Sequence, residues 1–414
     1  MTALRNGRHT LRQAVTIALA LGLAGLALGP AAALAAEELR IALVVPLSGR
    51  WARQGQLVKM GAEMAIEEVN AQGGVRALGG ARIVLREADA GDTVEKAVSA
   101  AQRVLGRDRI SAGIGAWLSS FTLGVTEVAE RLQVPWFTLS YADSITERGF
   151  RYTFQTSPVA GLQAAQALDL FLALARGQGS EVKRAAIVGD NTAASVFFFK
   201  PLREKLLRDK GVELVVDEIW TPPLADATPV VQKLRATRPD LMLFSATALP
   251  DSIQVLQKMK EFGVRLPIMG NGVWLLMPET VRAVGRELIE GVMSSVGAHP
   301  LKGQEALVER FKQRTGEPFM VQDALMGYVH VWVIKEAAEL ARSADPRAIR
   351  EAVTRLDLTA GPAAAALVPG RIRYDERGRR AGATTIIVQW QGGEPFTVAP
   401  AEFATRKPLW PHGR

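Results

Sequence analysis

The chain has 414 residues, a formal net charge of +8 and no cysteine, with 48% of its residues hydrophobic and 22% charged. That length suits two or three domains with substantial cores, and the lack of cysteine excludes disulfides and thiolate chemistry. The positive charge is spread along the chain, and its densest patch, RYDERGRR (373–380), is interleaved with acids, so nucleic acid is not an expected partner.

In chain order, the first feature is a leader. Arg5, Arg8 and Arg12 precede a short apolar core, Ala14 to Leu28, then Pro30 and the small residues Ala33-Leu34-Ala35-Ala36. This order predicts a secretory signal peptide over residues 1–36, cut after Ala35 or Ala36. The apolar run falls short of the ~20 residues that span a bilayer, and no cysteine stands at the cut to carry a lipid. The mature chain, with a net charge of +5 once those three arginines go, is expected to be periplasmic, monomeric and not membrane-spanning.

From Leu39 apolar runs alternate with helical patterns. IALVVPL (41–47) reads as a buried strand, and Leu57, Met60, Met64, Ala65 and Val69 fall at helical spacing before the stop at Gly73-Gly74. Strands are predicted next over 81–89, in ISAGIGA (110–116) and over 134–140, with helices between them. The alternation restarts with strands at 184–190, 213–220, 239–246 and 266–272. GVMSSVGAHP (291–300) reads as a connector, helices are predicted over 302–314, 321–342 and 346–356, and strands over 370–374 and 384–391. Repeated βα units make parallel sheets covered on both faces. The fold class is therefore α/β, with two doubly wound parallel-sheet lobes and a return segment.

In such sheets ligands bind beyond the carboxyl ends of the strands. That rule selects the loops SGRWARQG (48–55), AWLSS (116–120), SYADS (140–144), DNTAAS (190–195), ATAL (246–249) and GNGVW (270–274). Ser119 and Ser120 stand at the start of a helix, where a hydroxyl can cap the helix or, with free N–H groups, hold a carboxylate. Catalysis is not legible. His9 lies in the leader, His299, His330 and His412 have no partner at metal-ligand spacing, and no nucleophile elbow follows a strand. The Gly-rich stretches run from helix to strand, the wrong direction for a phosphate cradle. No enzyme activity, metal or cofactor is expected.

From Leu39 to about Val398 the chain resembles the periplasmic substrate-binding proteins of branched-chain amino acid ABC transporters. The matching stretches include IALVVPLSGRWARQG, IGAWLSSFTLGVTEVAERLQVPWFTLSYADSIT, AAIVGDNTAAS and PIMGNG. The resemblance implies two lobes closing on a ligand about a three-segment hinge, and delivery of that ligand to an inner-membrane ABC permease. It implies lobes over 39–157 plus 297–360 and over 158–296 plus 361–400, with 401–414 a tail. Hinge segments are then expected at Ser157-Pro158, Ser295–Gly297 and Gly361-Pro362. It further implies ligand contacts at Ser119 or Ser120 and at Ser140, Tyr141 and Ala142. Positions that hold tyrosines in amino acid binders fall on Gln54, Ala194 and Ala248, and the usual acid falls on Asn271. These departures favour a carboxylate with an apolar or aromatic body over an amino acid in an altered pose. Asp143 is the acid expected to replace the lost counter-charge. Trp51, Trp117, Tyr141, Phe198 and Trp274 are the aromatic candidates beside the mouth. A sensor that signals to a receptor remains open beside transport.

Overall fold

The computed structural model describes residues 38–107 and 109–410; the expected signal peptide and His412 lie outside them. The first lobe is built on β1 (Leu39–Val45), α1 (Ala52–Ala71), β2 (Ile83–Asp89), α2 (Val94–Arg107), β3 (Ala112–Gly115), α3 (Ser119–Leu132), β4 (Trp136–Thr138) and β5 (Thr153–Gln155). Its five strands are all parallel, in the order β2-β1-β3-β4-β5. β1 carries apolar residues on both faces because helices cover both, and six of its seven residues are buried. α2 shows the complementary pattern, burying Ala97, Ala100, Ala101, Val104 and Leu105 along one stripe.

The second lobe follows with α4 (Ala160–Gly177), β6 (Arg184–Asp190), α5 (Ala193–Pro201), β7 (Glu213–Trp220), α6 (Thr228–Thr237), β8 (Leu241–Ser245), α7 (Leu249–Glu261), β9 (Ile268–Asn271), α8 (Pro278–Val284) and β10 (Met293–Val296). After α9 (Glu305–Thr315), α10 (Gln322–Ala341) and α11 (Pro346–Arg355) come β11 (Ile386–Gln391) and β12 (Glu394–Ala399). The seven-stranded sheet runs β12-β11-β10-β9-β8-β6-β7. It is mixed rather than wholly parallel, since β11 pairs antiparallel with both β10 and β12. α10 packs along α1, which fixes the later helices to the first lobe. α11 has a side-chain N-cap: Asp345 accepts from the N–H groups of Arg347 and Ala348, and Pro346 follows at the first helical position.

Three stretches differ from the sequence reading. The expected connector 291–300 contains β10, an interior strand of the second sheet between β11 and β9. Residues 370–374 join no sheet but form single bridges, Ile372 with Leu358 and Tyr374 with Arg380. This return segment lies against the first lobe: Gln155 N–H donates to Gly378 O at 2.7 Å and Arg380 N–H to Gln155 O at 2.9 Å. Residues 401–410 are packed on β11, with Gln389 Nε2 donating to Leu409 O at 2.6 Å and Trp410 5.5 Å from the Phe171 ring.

Candidate functional site

Each sheet order reverses once on either side of its first strand, between β1 and β3 in one lobe and between β6 and β8 in the other. The crevices there lie at the carboxyl ends of the strands, where N-termini of α3, α5, α7 and α10 bring unpaired N–H groups. Trp117, Leu118, Ser119, Leu139, Ser140, Tyr141, Ala194, Thr247, Val273, Trp274 and Gln322 enclose a cavity between the lobes with about 20 Å³ of free space, room for about one water. Larger concavities lie beside Arg265 and Leu266, at the opposite strand ends.

Packing of Trp136 sets the β3 corner. Its ring lies over Gly113, where a Cβ would come within 2.2 Å of it, and its indole N–H donates to Gly115 O at 2.9 Å. The chain then turns through Trp117 at φ 67°, a left-handed conformation that costs a bulky residue on the order of 1–3 kcal/mol. Ser140 Oγ holds that turn by donating to Trp117 O at 2.7 Å. The same oxygen lies 2.9 Å from Thr138 Oγ1 and 2.7 Å from Thr122 Oγ1, so the Ser140 hydroxyl is fully engaged.

The two serines of α3 do not cap it. Leu118 is the N-cap residue, and Ser119 and Ser120 are the first two residues inside the helix. Ser119 Oγ accepts from the N–H groups of Tyr141 and Ala142 at 3.1 and 3.2 Å, tying the β3 and β4 corners together. Ser120 Oγ reaches the other lobe and accepts from Ala193 N–H at 3.3 Å, at the start of α5. A second cross-lobe contact is Arg53, whose guanidinium is 3.1 Å from Glu279 Oε1 of α8 and 2.6 Å from Glu317. On the second-lobe floor Asp190 accepts from the N–H and hydroxyl of both Thr192 and Thr247, fixing the loop that carries Thr247 into the wall.

Buried polar atoms without a partner occur at several places among the described residues, and Trp51 Nε1, both amide atoms of Gln54, Asn271 Oδ1, Trp274 Nε1 and both carboxyl oxygens of Asp323 are among them. Native interiors pair nearly all such groups. Asp323 is wholly buried in the first turn of α10. Burial pushes its carboxyl up to about 7, opposed by the Trp117 indole, the Arg53 charge and the Gln322 amide. His299 and His330 belong to the packing: burial pushes each down to about 3, and His330 Nε2 meets Thr156 Oγ1 at 3.0 Å. No group of three or more metal-ligating side chains occurs among the described residues, and no helix there is long and apolar enough to cross a membrane.

Residues 38–394 match the model of the periplasmic binding protein family. The chain belongs to that family. Leu/Ile/Val-binding protein homolog 7 of Brucella suis is 28% identical over 393 residues, covering 92% of this chain and 96% of the relative. Among solved structures, the branched-chain amino acid binding protein of Streptococcus pneumoniae in complex with isoleucine superposes with a TM-score of 0.75 at 18% identity, over 87% of this chain and 98% of that one. A solute-binding protein of R. palustris in complex with benzoate gives 0.73 at 17%, over 91% and 100%. As a member of that family the chain is a binding protein rather than an enzyme.

Of the residues singled out from sequence, the fold brings Trp117, Ser119, Ser140, Tyr141 and Ala194 together in the cavity wall, along with Trp274. Ala142 and Ala248 are buried just behind it. Trp51 is buried with its ring edge-on to Phe121 at 5.5 Å, and Phe198 is in the core of the second lobe. Asn271 turns away toward Gln163 and Ser295, its Nδ2 donating at 3.0 and 3.3 Å. Asp143 accepts from Gly161 N–H at 3.1 Å, at the start of α4, and is not part of the wall. Sequence reasoning selected the loops that carry Thr247 and Val273 without singling those residues out, and missed Gln322.

Proposed function

We propose that this protein captures a small carboxylate with an apolar or aromatic body between its lobes and delivers it to an inner-membrane ABC permease from the periplasm. The observation that carries this reading is the lining of the cavity between the lobes. Its wall is Trp117, Leu118, Leu139, Tyr141, Val273 and Trp274 with only neutral polar groups among them, while Ser119 and Ala194 lie in the first turns of α3 and α5. Helix N-termini in an apolar, water-poor setting favour an anion. The isoleucine and benzoate held by the two structural neighbours are both carboxylates.

The lobes we assign are 39–157 with 297–381, and 158–296 with 382–400. The third crossing is moved from Gly361-Pro362 to the residues after Ala381, because 361–381 bonds to the first lobe. The first two crossings touch, since a Cβ on Gly297 would lie 2.6 Å from Ser157 Oγ. The mature chain, titrated calorimetrically with benzoate, 4-methylpentanoate and 3-phenylpropanoate, is expected to bind at least one of them in the micromolar range or tighter. Binding of sugars or neutral amides in place of every carboxylate would overturn the reading.

A further inference from the structure

The cavity between the lobes is too small for the ligand assigned to it. Its free space is about 20 Å³, whereas an apolar cavity of about 150 Å³ is what takes up a benzene-sized body. The shortfall is on the scale of a single aromatic ring. Parting the lobes lets a ligand in, but it does not enlarge the space they enclose when they come together again. Some part of the wall therefore stands where the ligand's body goes.

Most of the polar wall is bonded in place. Tyr141 is tied to Gln322, Ser119 and Ser140 join the first-lobe corners, and Thr247 Oγ1 donates to Asp190 at 2.7 Å. The Trp117 indole lies beside the Asp323 carboxyl. Trp274 differs, because its side chain is held by apolar packing alone. Its indole N–H is buried and unpaired, although those of Trp136, Trp220 and Trp390 each donate to an oxygen at 2.9 Å. A buried indole N–H ordinarily finds an acceptor, and a ring turned outward would give this one water. The backbone under the ring is fixed, by contrast. Ser294 Oγ donates to Gly272 O at 2.6 Å, Thr280 Oγ1 to Trp274 O at 3.3 Å and the Trp390 indole to Leu275 O. The far edge of the Trp274 ring lies against Gly272, where a Cβ would come within 2.2 Å of it. Glycine at 272 is thus what leaves room for the ring to point inward.

We propose that Trp274 is a specificity-determining plug: its indole occupies the place of the ligand's apolar body and turns out of the wall when the ligand enters, while the backbone of 272–276 stays where it is. This rests on the carboxylate reading above and adds a size rule to it. Displacing the ring forfeits the burial of an aromatic side chain, and only a body large enough to refill the space offsets that loss. Benzoate and 3-phenylpropanoate meet this condition, and acetate does not.

The test is Trp274→Ala, titrated calorimetrically with benzoate and 3-phenylpropanoate beside the wild type. Removing the plug is expected to tighten both acids by about ten- to a hundredfold, the burial of one aromatic side chain expressed as affinity. Unchanged or weaker binding would make Trp274 an ordinary contact in the wall and overturn the proposal, while leaving the carboxylate reading intact. Free indole added to the variant is expected to compete with benzoate for the vacated space. Independent binding of the two would put the ligand elsewhere and overturn the proposal as well. A measurement on the intact side chain covers the case of a misfolded variant. With 5-fluorotryptophan at all eight tryptophan positions, the fluorine signal of Trp274 is identified by its loss in Trp274→Phe. Saturation with benzoate is expected to give that signal a solvent isotope shift between H2O and D2O, as the ring leaves the wall for water. A signal that stays shielded from solvent overturns the proposal. If neither wild type nor variant binds any carboxylate, the carboxylate reading falls and takes this proposal with it.

Discussion

The hydroxyl of Tyr141 donates a 2.6 Å hydrogen bond to the side-chain oxygen of Gln322. One residue belongs to the corner after β4, the other to the first turn of α10, and both line the cavity. The same Gln322 oxygen accepts from Gly297 N–H at 2.6 Å, at the second crossing between the lobes. A single atom therefore joins the cavity wall to residue 297.

Removing one or the other partner should have unequal effects. Tyr141→Phe leaves Gln322 with two other donors and is expected to cost about 1 kcal/mol of stability. Gln322→Leu leaves Tyr141 Oη and Ala298 N–H without an acceptor and Gly297 N–H with only its 3.4 Å contact to Tyr141 Oη, and each orphan costs about 1–3 kcal/mol. Chemical denaturation should thus show a clearly larger loss for Gln322→Leu, and equal losses would mean that the three-donor network does not form.

Ser119 and Ser120 separate by experiment. Ser119→Ala removes the acceptor of two buried N–H groups, so it should lower stability by about 1–3 kcal/mol and weaken the ligand by about tenfold or more. Ser120→Ala removes a bond made between the lobes, to Ala193 N–H, and should leave unfolding nearly unchanged while reducing closure. Small-angle scattering with saturating ligand reads closure, and calorimetry reads affinity. A Ser120→Ala protein that unfolds earlier but closes normally would contradict this division.

The fold was legible where apolar runs are long, and the exceptions have physical causes. Arg184–Asp190 and Glu213–Trp220 are strands at the residues read from sequence, the first because burial leaves an apolar run and the second, at the sheet edge with only Val216 buried, because its β-branched and aromatic residues suit a strand. β10 was hidden because its Ser294 and Ser295 look polar; inside the sheet their hydroxyls donate to Gly272 O at 2.6 Å and Gly270 O at 3.1 Å. β5 has three residues, too few to show a period. At the site, the loops after β3, β4 and β6 could be placed by the strand-end rule. Gln322 and Asp323 could not, since an acid in the first turn of a helix is the ordinary complement to its dipole and only packing of α10 on α1 brings it to the cleft.

The pair Arg53 and Glu279 spans the lobes with side chains 21% and 32% exposed. Such a pair is worth about 0–1 kcal/mol and is screened by salt. Glu279→Gln should weaken ligand binding by no more than about fivefold at low salt, with the difference disappearing near 1 M salt. A large, salt-independent loss would place Glu279 in the ligand site instead.

The buried carboxyl of Asp323 sets a sign for the pH dependence of the ligand-free protein. Its folded-state value is raised to about 7 above an unfolded value near 3.9, so between these limits the native state holds the proton more tightly than the unfolded chain. Its contribution therefore stabilises the fold below about pH 4, is lost progressively as pH rises to about 7, and stays lost above. Burial of His299 and His330 acts in the opposite sense, because their values are depressed to about 3 and the unfolded chain takes up protons first as pH falls below about 6.5. Comparing wild type with Asp323→Asn cancels the histidines. The variant's stability relative to wild type should climb between pH 4 and 7 by a few kcal/mol, about 4 at the limit, and level off at higher pH. Urea denaturation at half-unit pH intervals measures this difference. A flat difference would mean that the carboxyl is solvated or paired in solution.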